Sequence, residues 1–283
     1  MEPAPWAGPH GASVAPAGHD DEAIVERWPR PRARARALEA GPGSGGRVVQ
    51  RRSPTSLHSQ PWAIIPARWG SRRLPGKVLA EVGGRPMLQR VWCAANEAGC
   101  FARVQIATDS DEVARVARGF GAEVVMTGPA PSGTHRVALV APEHAPVIGI
   151  QADQPFLDPD HLRTLAALIE LHPVGTLCAP LVGDPHDPAR VKVVVTGGRA
   201  IAFSRRPIPG QGPWWVHVGL YGFGPGWVQR CAAAPRSAAA AAEDLEQLSW
   251  LDLGIPIGIA EVARCGISVD TPEQLQAARA LAL

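Results

Sequence analysis

From residue 62 onward, short apolar runs alternate with segments whose apolar positions recur every three to four residues. Trp62 to Ile65 predicts a buried strand, ended by Pro66, which has no amide hydrogen for a sheet ladder. Pro86 to Gly99 predicts a helix with Met87, Leu88, Val91, Trp92, Ala95 and Ala98 on one side and Gly99 as its stop. Val104–Ala107 and Glu123–Met126 predict strands around a helix over 111–119 that turns Val113, Val116, Ala117 and Phe120 inward. A short helix over His135–Ala141 and a strand over Val147–Gln151 follow. The helix from Pro159 to Leu171 carries Leu162, Leu165, Leu168 and Ile169. This spacing predicts an α/β fold, Rossmann-like, with a mainly parallel sheet covered on both faces. Ligands in such folds gather at the carboxyl ends of the strands.

The second half changes character, toward a smaller mixed α+β region. Thr176–Leu181 reads as a strand. Val191–Thr196 and Arg199–Ser204 flank Gly197-Gly198, a two-residue hairpin signal. Trp214–Phe223 reads as a strand, 225–234 and 238–253 as helices, and Ile257–Val262 as the last strand. The C-terminal helix opens on Thr271-Pro272-Glu273-Gln274, with Thr271 as N-cap, Pro272 at N1 and Gln274 closing a capping box.

Residues 1–60 share none of this periodicity. They are rich in Pro, Gly, Ala and Arg, and Pro29–Arg36 is strongly basic. Such a segment buries too little apolar surface to offset ordering, which predicts a disordered extension. It has no apolar core of a secretory signal. The expected division is therefore an extension over 1–60 and one domain over 61–283. Within that domain the strand–helix alternation covers 61–172, the mixed region covers 173–265, and 266–283 holds Asp270 and the last helix.

The net charge of +2 gives no general attraction to nucleic acid or membrane surfaces. No apolar run approaches the ~20 residues of a membrane span. Five scattered cysteines with no C-x-x-C pair read as free thiols of a reducing, cytoplasmic compartment, and not as a zinc site.

The candidate chemistry starts in the loop after the first strand. It holds Gly70 and Gly76 and four cations, Arg68, Arg72, Arg73 and Lys77. A basic, glycine-containing loop after a first strand suits a polyphosphate. Of 28 Lys plus Arg only Lys77 and Lys192 are lysines, so a lysine hints at a site that wants a compact ammonium. Asp153, in Gln151-Ala152-Asp153-Gln154-Pro155, follows a strand, and Asp270 follows the apolar stretch Gly266–Val269. Two carboxylates at strand ends beside a polyphosphate suit Mg²⁺. Each also has a plain reading, as a turn former and as helix N-terminal chemistry. Ser132–Arg136 is a polar loop that either recognises a base or anion or caps a helix. Ser204-Arg205-Arg206 either grips a carboxylate or ends a strand in solvent. On an alternating strand His217, Gly219 and Tyr221, the last being the chain's only tyrosine, share one face.

In order along the chain, Ile64–Arg68 with Leu74–Lys77, Ala107–Asp109, Ser132–Arg136, Gln151–Pro155, Val191–Val194, Phe203–Arg205, His217–Gly222, Leu245–Leu248 and Val269–Glu273 resemble the 3-deoxy-manno-octulosonate (Kdo) cytidylyltransferases. The resemblance runs from Trp62 to the C-terminus. It implies a nucleotidyltransferase that converts CTP and Kdo to CMP-Kdo and pyrophosphate with Mg²⁺, as a cytoplasmic homodimer, for lipopolysaccharide synthesis. It also implies that 61–172 is mainly nucleotide-binding, 173–265 mainly acceptor-binding and dimerising, and that 266–283 carries a metal-binding Asp and the last helix. By position, Lys77, Arg68 and Asp153 would be catalytic. Ala67, Arg68, Ser71, Arg73, Lys77, Ser132, Arg136 and Gln151 would hold the nucleotide. Arg205, His217, Tyr221, Glu246 and Gln247 would line the sugar-acid site, and Asp153 and Asp270 would bind the metal.

The chain departs from the family pattern in Gln154 and His135, where the family has Glu. It also departs in the alanine run Ala238–Ala242 and in a shorter segment between Ile208 and Trp214. These departures keep two alternatives in view: a nucleotidyltransferase for another acidic sugar, such as 8-amino-Kdo or a sialic acid, and a non-catalytic sugar-nucleotide binding protein.

Overall fold

The computed structural model describes residues 60–70, 74–209 and 214–282. Ser71, Arg73, the N-terminal extension and most of the shortened segment lie outside these residues. In chain order the elements are β1 (Trp62–Pro66), β2 (Glu81–Val82), β3 (Arg85–Pro86), α1 (Met87–Ala98), β4 (Arg103–Thr108), α2 (Asp111–Gly119), β5 (Glu123–Met126), α3 (Gly133–Val140), β6 (Val147–Gly149) and α4 (Pro159–Leu168). Then come β7 (Val174–Pro180), β8 (Lys192–Thr196), β9 (Arg199–Ser204), β10 (Trp215–Phe223), α5 (Trp227–Ala232), α6 (Ala238–Glu243), α7 (Gln247–Asp252), β11 (Ile257–Glu261) and α8 (Pro272–Leu281).

Among the described residues one sheet has nine strands in the order β5-β4-β1-β6-β10-β7-β11-β9-β8. The pairs around β1 are parallel, whereas β10 runs antiparallel to β6, β7 and β8, and β9 antiparallel to β8 and β11. Because β10 pairs with both β7 and β8, the strands β10, β7, β11, β9 and β8 form a closed circuit. Alternate residues of β1 enter different cores. Ala63 and Ile65 pack with α1, α2 and α4, while Ile64 packs with α3, α5 and α7. That two-sided burial is what the uninterrupted apolar run of β1 encodes. A third cluster, Val82, Met87, Val269, Leu275 and Ala278, ties α8 to the β2–β3 hairpin.

Two boundaries differ from the sequence reading. The expected helix over 238–253 is two short helices, since Asp244 adopts φ 51° between them. Asp tolerates this left-handed conformation better than most residues. Asp270 does not end a strand: the stretch before it is irregular, and the Val269 N–H pairs with the Asp153 carbonyl at 2.9 Å. The capping box at Thr271 forms as its sequence predicts.

Inside the closed circuit the polar groups are paired by geometry. Thr176, fully buried, donates its single hydroxyl proton to the Leu220 carbonyl at 2.8 Å. Its oxygen then accepts from His217 Nε2 at 2.8 Å, which assigns the proton to that nitrogen. The His217 ring also meets Phe203 and Tyr221, with centroids 5.1 and 5.2 Å away. A bulge after Val218 places two extra residues in β10, so His217 and Tyr221 keep the same face.

Burial pushes the His217 imidazole from its ordinary 6.5 down to about 3. The folded chain keeps it neutral, whereas the unfolded chain protonates it below 6.5. Its contribution to stability is thus complete above pH 6.5 and lost as pH falls toward 3. His217→Gln should therefore flatten the fall of Tm between pH 7 and 4.5, read from melts of both proteins across that range. An unchanged slope would reject His217 as a source of acid lability. Gly222 makes a second test. A Cβ there would lie 2.6 Å from Ile169 Cγ2 and 3.2 Å from Leu165 Cγ. Gly222→Ala should cost roughly 1–3 kcal/mol by overpacking. Gly84, where a Cβ meets nothing within 4 Å, should tolerate alanine better apart from its positive φ. Denaturant midpoints of the two variants provide the comparison.

Candidate active site

The loops that follow β1 and β6, the start of α3 and the segment before α8 meet around one cavity of about 280 Å³. It is lined by Arg68, Lys77, Ser132, Arg136, Gln151, Asp153 and Asp270, together with Pro66, Val78, Ala130, Pro131, Gly133 and Ala152. Seven residues singled out from sequence, spread over some 200 positions, thus line one cavity.

The centre of the wall is an ion cluster. The Lys77 ammonium donates to Asp153 Oδ2 at 2.8 Å, to Asp270 Oδ1 at 2.7 Å and to the Val269 carbonyl at 3.1 Å. An ammonium has three N–H bonds, and these three acceptors engage them all. Burial by itself would lower the Lys77 pKa, but Asp153 and then Asp270 outweigh it and hold the group above its ordinary 10.5. The position of Lys77 follows from its neighbour. Gly76 takes φ +69°, its N–H pairs with the Trp69 carbonyl at 3.0 Å, and a Cβ would press on the Trp69 ring at 3.1–3.3 Å. Only glycine closes the loop there without strain.

Ala67 serves as the pivot from strand to loop: it is fully buried and its N–H is engaged by the Ala107 carbonyl at 2.8 Å. Arg68 is exposed at the cavity. Arg136 is almost entirely buried, held by Asp109 at 2.6 Å and by Thr127 and the Gly128 carbonyl. The Gln151 amide lies beside Gly133. At the N-cap of α3, Ser132 Oγ donates to Glu246 Oε2 at 2.9 Å, so it accepts from the His135 backbone N–H and from His135 Nδ1 at 3.0 Å. Thr134 donates to the other Glu246 oxygen.

The acceptor-side candidates occupy a second neighbourhood and do not line this cavity. The Arg205 guanidinium is engaged by three backbone carbonyls, those of Glu243 at 2.7 Å, Pro188 at 3.1 Å and Asp244 at 3.4 Å. The carboxylate of Glu243 also holds Ser204 and the Arg205 N–H. In this conformation Arg205 is therefore a brace, not an open anion clamp. Tyr221 packs on Trp250 of α7, centroids 4.9 Å apart, and Gln247 is buried at the start of that helix. The Tyr221 hydroxyl is buried without a hydrogen-bond partner among the described residues. Burial and then Glu246 push its pKa well above the ordinary 10.

Sequence reasoning passed over Thr176 and Glu243, and took Thr134 only as part of the Ser132–Arg136 loop. The signal for Thr176 is a polar residue within a strand that is otherwise buried. Glu243 is marked only as the first charge after five alanines. Asp109 stood in a matched segment, but its partner Arg136 is 27 residues away and nothing local announces the pair.

The two carboxylates around the ammonium also bear on a metal. Among the described residues no group of three or more His, Cys, Asp or Glu side chains forms a metal cage. The Asp153 and Asp270 oxygens nevertheless face one small cation from two sides, a hard-oxygen donor pair that fits Mg²⁺ when phosphate oxygens complete the shell.

Known proteins resemble this chain in sequence and fold. A family model described as cytidylyltransferase matches residues 62–252. A 3-deoxy-manno-octulosonate cytidylyltransferase of Anaeromyxobacter sp. (strain Fw109-5) is 39% identical over 231 residues, covering 77% of this chain and 95% of the relative. An 8-amino-3,8-dideoxy-manno-octulosonate cytidylyltransferase of Shewanella baltica (strain OS155) is 39% identical over 231 residues, covering 75% and 94%. A solved CMP:2-keto-3-deoxy-manno-octonic acid synthetase complexed with CTP superposes with a TM-score of 0.75 at 37% identity, covering 79% of this chain and 98% of that one. A glucose-1-phosphate thymidylyltransferase structure from Bacillus anthracis shares the fold at a TM-score of 0.58 and 18% identity. The ordered strands, the motif-bearing loops and these relatives together establish that the chain belongs to the cytidylyltransferase family.

Proposed function

We propose that the chain is a nucleotidyltransferase that couples CTP to Kdo, yielding CMP-Kdo and pyrophosphate. The observation that carries this reading is the Lys77 ammonium between Asp153 and Asp270, in a cavity whose other wall is the Ser132–Arg136 loop. A triphosphate entering there meets an ammonium whose donors are all engaged, so binding exchanges a carboxylate partner for a phosphate oxygen. Arg68 adds a second cation at the same wall, and fixed charges of this kind neutralise what builds up on a departing pyrophosphate. Asp153 and Asp270 would hold Mg²⁺. When bound, that ion polarises the phosphate oxygens and screens the leaving group. Ser132, Gly133, Arg136 and Gln151 flank the nucleoside side, and the bonds of Arg136 to Asp109 and Thr127 fix its plane before any ligand arrives. The acceptor hydroxyl attacks the α-phosphorus from the side of Tyr221, Glu246 and Gln247, forming the new P–O bond as the bond to pyrophosphate breaks, and its proton leaves to solvent. The enzyme supplies position and charge in this scheme, with no covalent intermediate. A role in lipopolysaccharide synthesis, a homodimeric state and a cytoplasmic setting belong to the same proposal. No helix among the described residues is long and apolar enough to cross a membrane.

Pyrophosphate release measured for four nucleoside triphosphates against Kdo, 8-amino-Kdo and a sialic acid should be greatest with CTP and Kdo. Greatest release with the amino sugar would move the assignment to the reaction named for the Shewanella relative, and release with no pair would reject catalysis. Lys77→Met should lower turnover about a hundredfold to a thousandfold. The variant leaves two neighbouring carboxylates without their ammonium, so Mg²⁺ should raise its Tm more than that of the wild type. An equal Mg²⁺ shift in both proteins would speak against a cation site between the two aspartates. Asp153→Asn and Asp270→Asn should be non-additive in a Mg²⁺ titration of turnover, because either change disrupts the same cluster. Additive losses would separate their roles.

A further inference from the structure

We infer that Glu246 is a positioning residue that couples acceptor binding to nucleotide binding. This inference rests on the function proposed above. Both carboxylate oxygens reach across more than 110 positions of sequence to hydroxyls of one loop, Oε2 to Ser132 and Oε1 to Thr134. That loop carries Ser132, Gly133 and Arg136 on the cavity wall. The residue itself immediately precedes α7, whose Gln247 is buried and whose Trp250 packs on Tyr221. Tyr221, on which Trp250 packs, keeps a buried hydroxyl that no described residue satisfies. A ligand that supplies this hydroxyl with a partner reaches the side chain that α7 packs against, and α7 begins directly after Glu246.

The proton accounting makes the strut rigid. Ser132 has one proton, and the carboxylate takes it, so the serine oxygen is left to accept from the backbone and ring of His135. A shift of Glu246 thus disturbs the N-cap of α3 and, one turn later, Arg136. Acceptor and nucleotide sites joined by one carboxylate are linked reciprocally: whatever the sugar does to nucleotide affinity, the nucleotide does to sugar affinity.

The test is calorimetric titration of a non-reactive α,β-methylene analogue of CTP with and without Kdo, and of Kdo with and without the analogue, all with Mg²⁺. The wild type should show each ligand tightening the other by about 5-fold or more. Glu246→Gln, whose amide nitrogen cannot accept from a hydroxyl, should bring that factor to near one. Thr134→Val, which removes a donor on the opposite side of the strut, should do the same. Each ligand's affinity measured alone should change less than the coupling factor in Thr134→Val. The coupling idea fails if Thr134→Val keeps the wild-type factor while Glu246→Gln weakens Kdo equally with and without nucleotide, since Glu246 would then be a direct sugar ligand. It also fails if the wild type binds both ligands independently. A wild type that binds the analogue but no Kdo would overturn the acceptor assignment, and one that binds neither would overturn the proposed function itself. Circular dichroism melts of both variants separate lost coupling from lost folding.

Discussion

Three segments far apart in the chain are brought together by one ammonium group. Lys77 comes from the loop after β1, Asp153 from the turn after β6, and Asp270 and Val269 from the approach to α8. The cluster is partly buried, so its bonds are stronger than those of an exposed pair, and an unpaired charge there is costlier. It also explains why the C-terminal helix matters to a site built mostly from the first half. The capping box at Thr271 and the packing of Leu275 and Ala278 fix where Asp270 stands. The Val269 N–H bond to the Asp153 carbonyl clamps the two aspartate segments together. Asp153 follows a strand as expected, whereas Asp270, expected to do the same, sits on irregular backbone held by the Asp153 segment and by the lysine.

The opposite wall follows a similar logic with neutral and ionic bonds combined. Asp109 holds Arg136 and Glu246 holds Ser132 and Thr134, while outside the cavity the backbone carbonyls of Glu243 and Asp244 hold Arg205. In each case a side chain that the sequence presents as a candidate ligand is already engaged by another residue. Preorganisation of this kind lowers the cost of ordering the site on binding. The Glu243 carboxylate for its part accepts from Ser204 and the Arg205 backbone N–H, and the Glu246 carboxylate from two hydroxyls.

The closed circuit of β10, β7, β11, β9 and β8 gives the second half its different texture. Antiparallel β10 inserts between two parallel strands, and a bulge of two residues lets His217 and Tyr221 keep one face. Its interior accepts polar groups only because each finds a partner, as Thr176 does for His217. The Tyr221 hydroxyl is the exception among them, since no described residue satisfies it.

What the sequence determined by itself is what depends on neighbours in the chain. The strand–helix alternation, the Gly197-Gly198 hairpin, the Thr271 cap and the loop after β1 are set by periodicity, turn chemistry and capping, which act over a few residues. The motif residues Lys77, Asp153 and Asp270 were legible as a set because their order matched a family pattern. Only the tertiary structure decided how they pair. Lys77 and Asp270 are 193 positions apart, and Glu246 and Ser132 are 114 apart. Such contacts depend on the crossing of strands and on loop closure, and no local pattern encodes them. The same holds for Arg205, whose guanidinium reads as a free cation in sequence. In the fold it lies among backbone carbonyls that α6 leaves unsatisfied where Asp244 turns the chain, so its charge braces the structure at that corner.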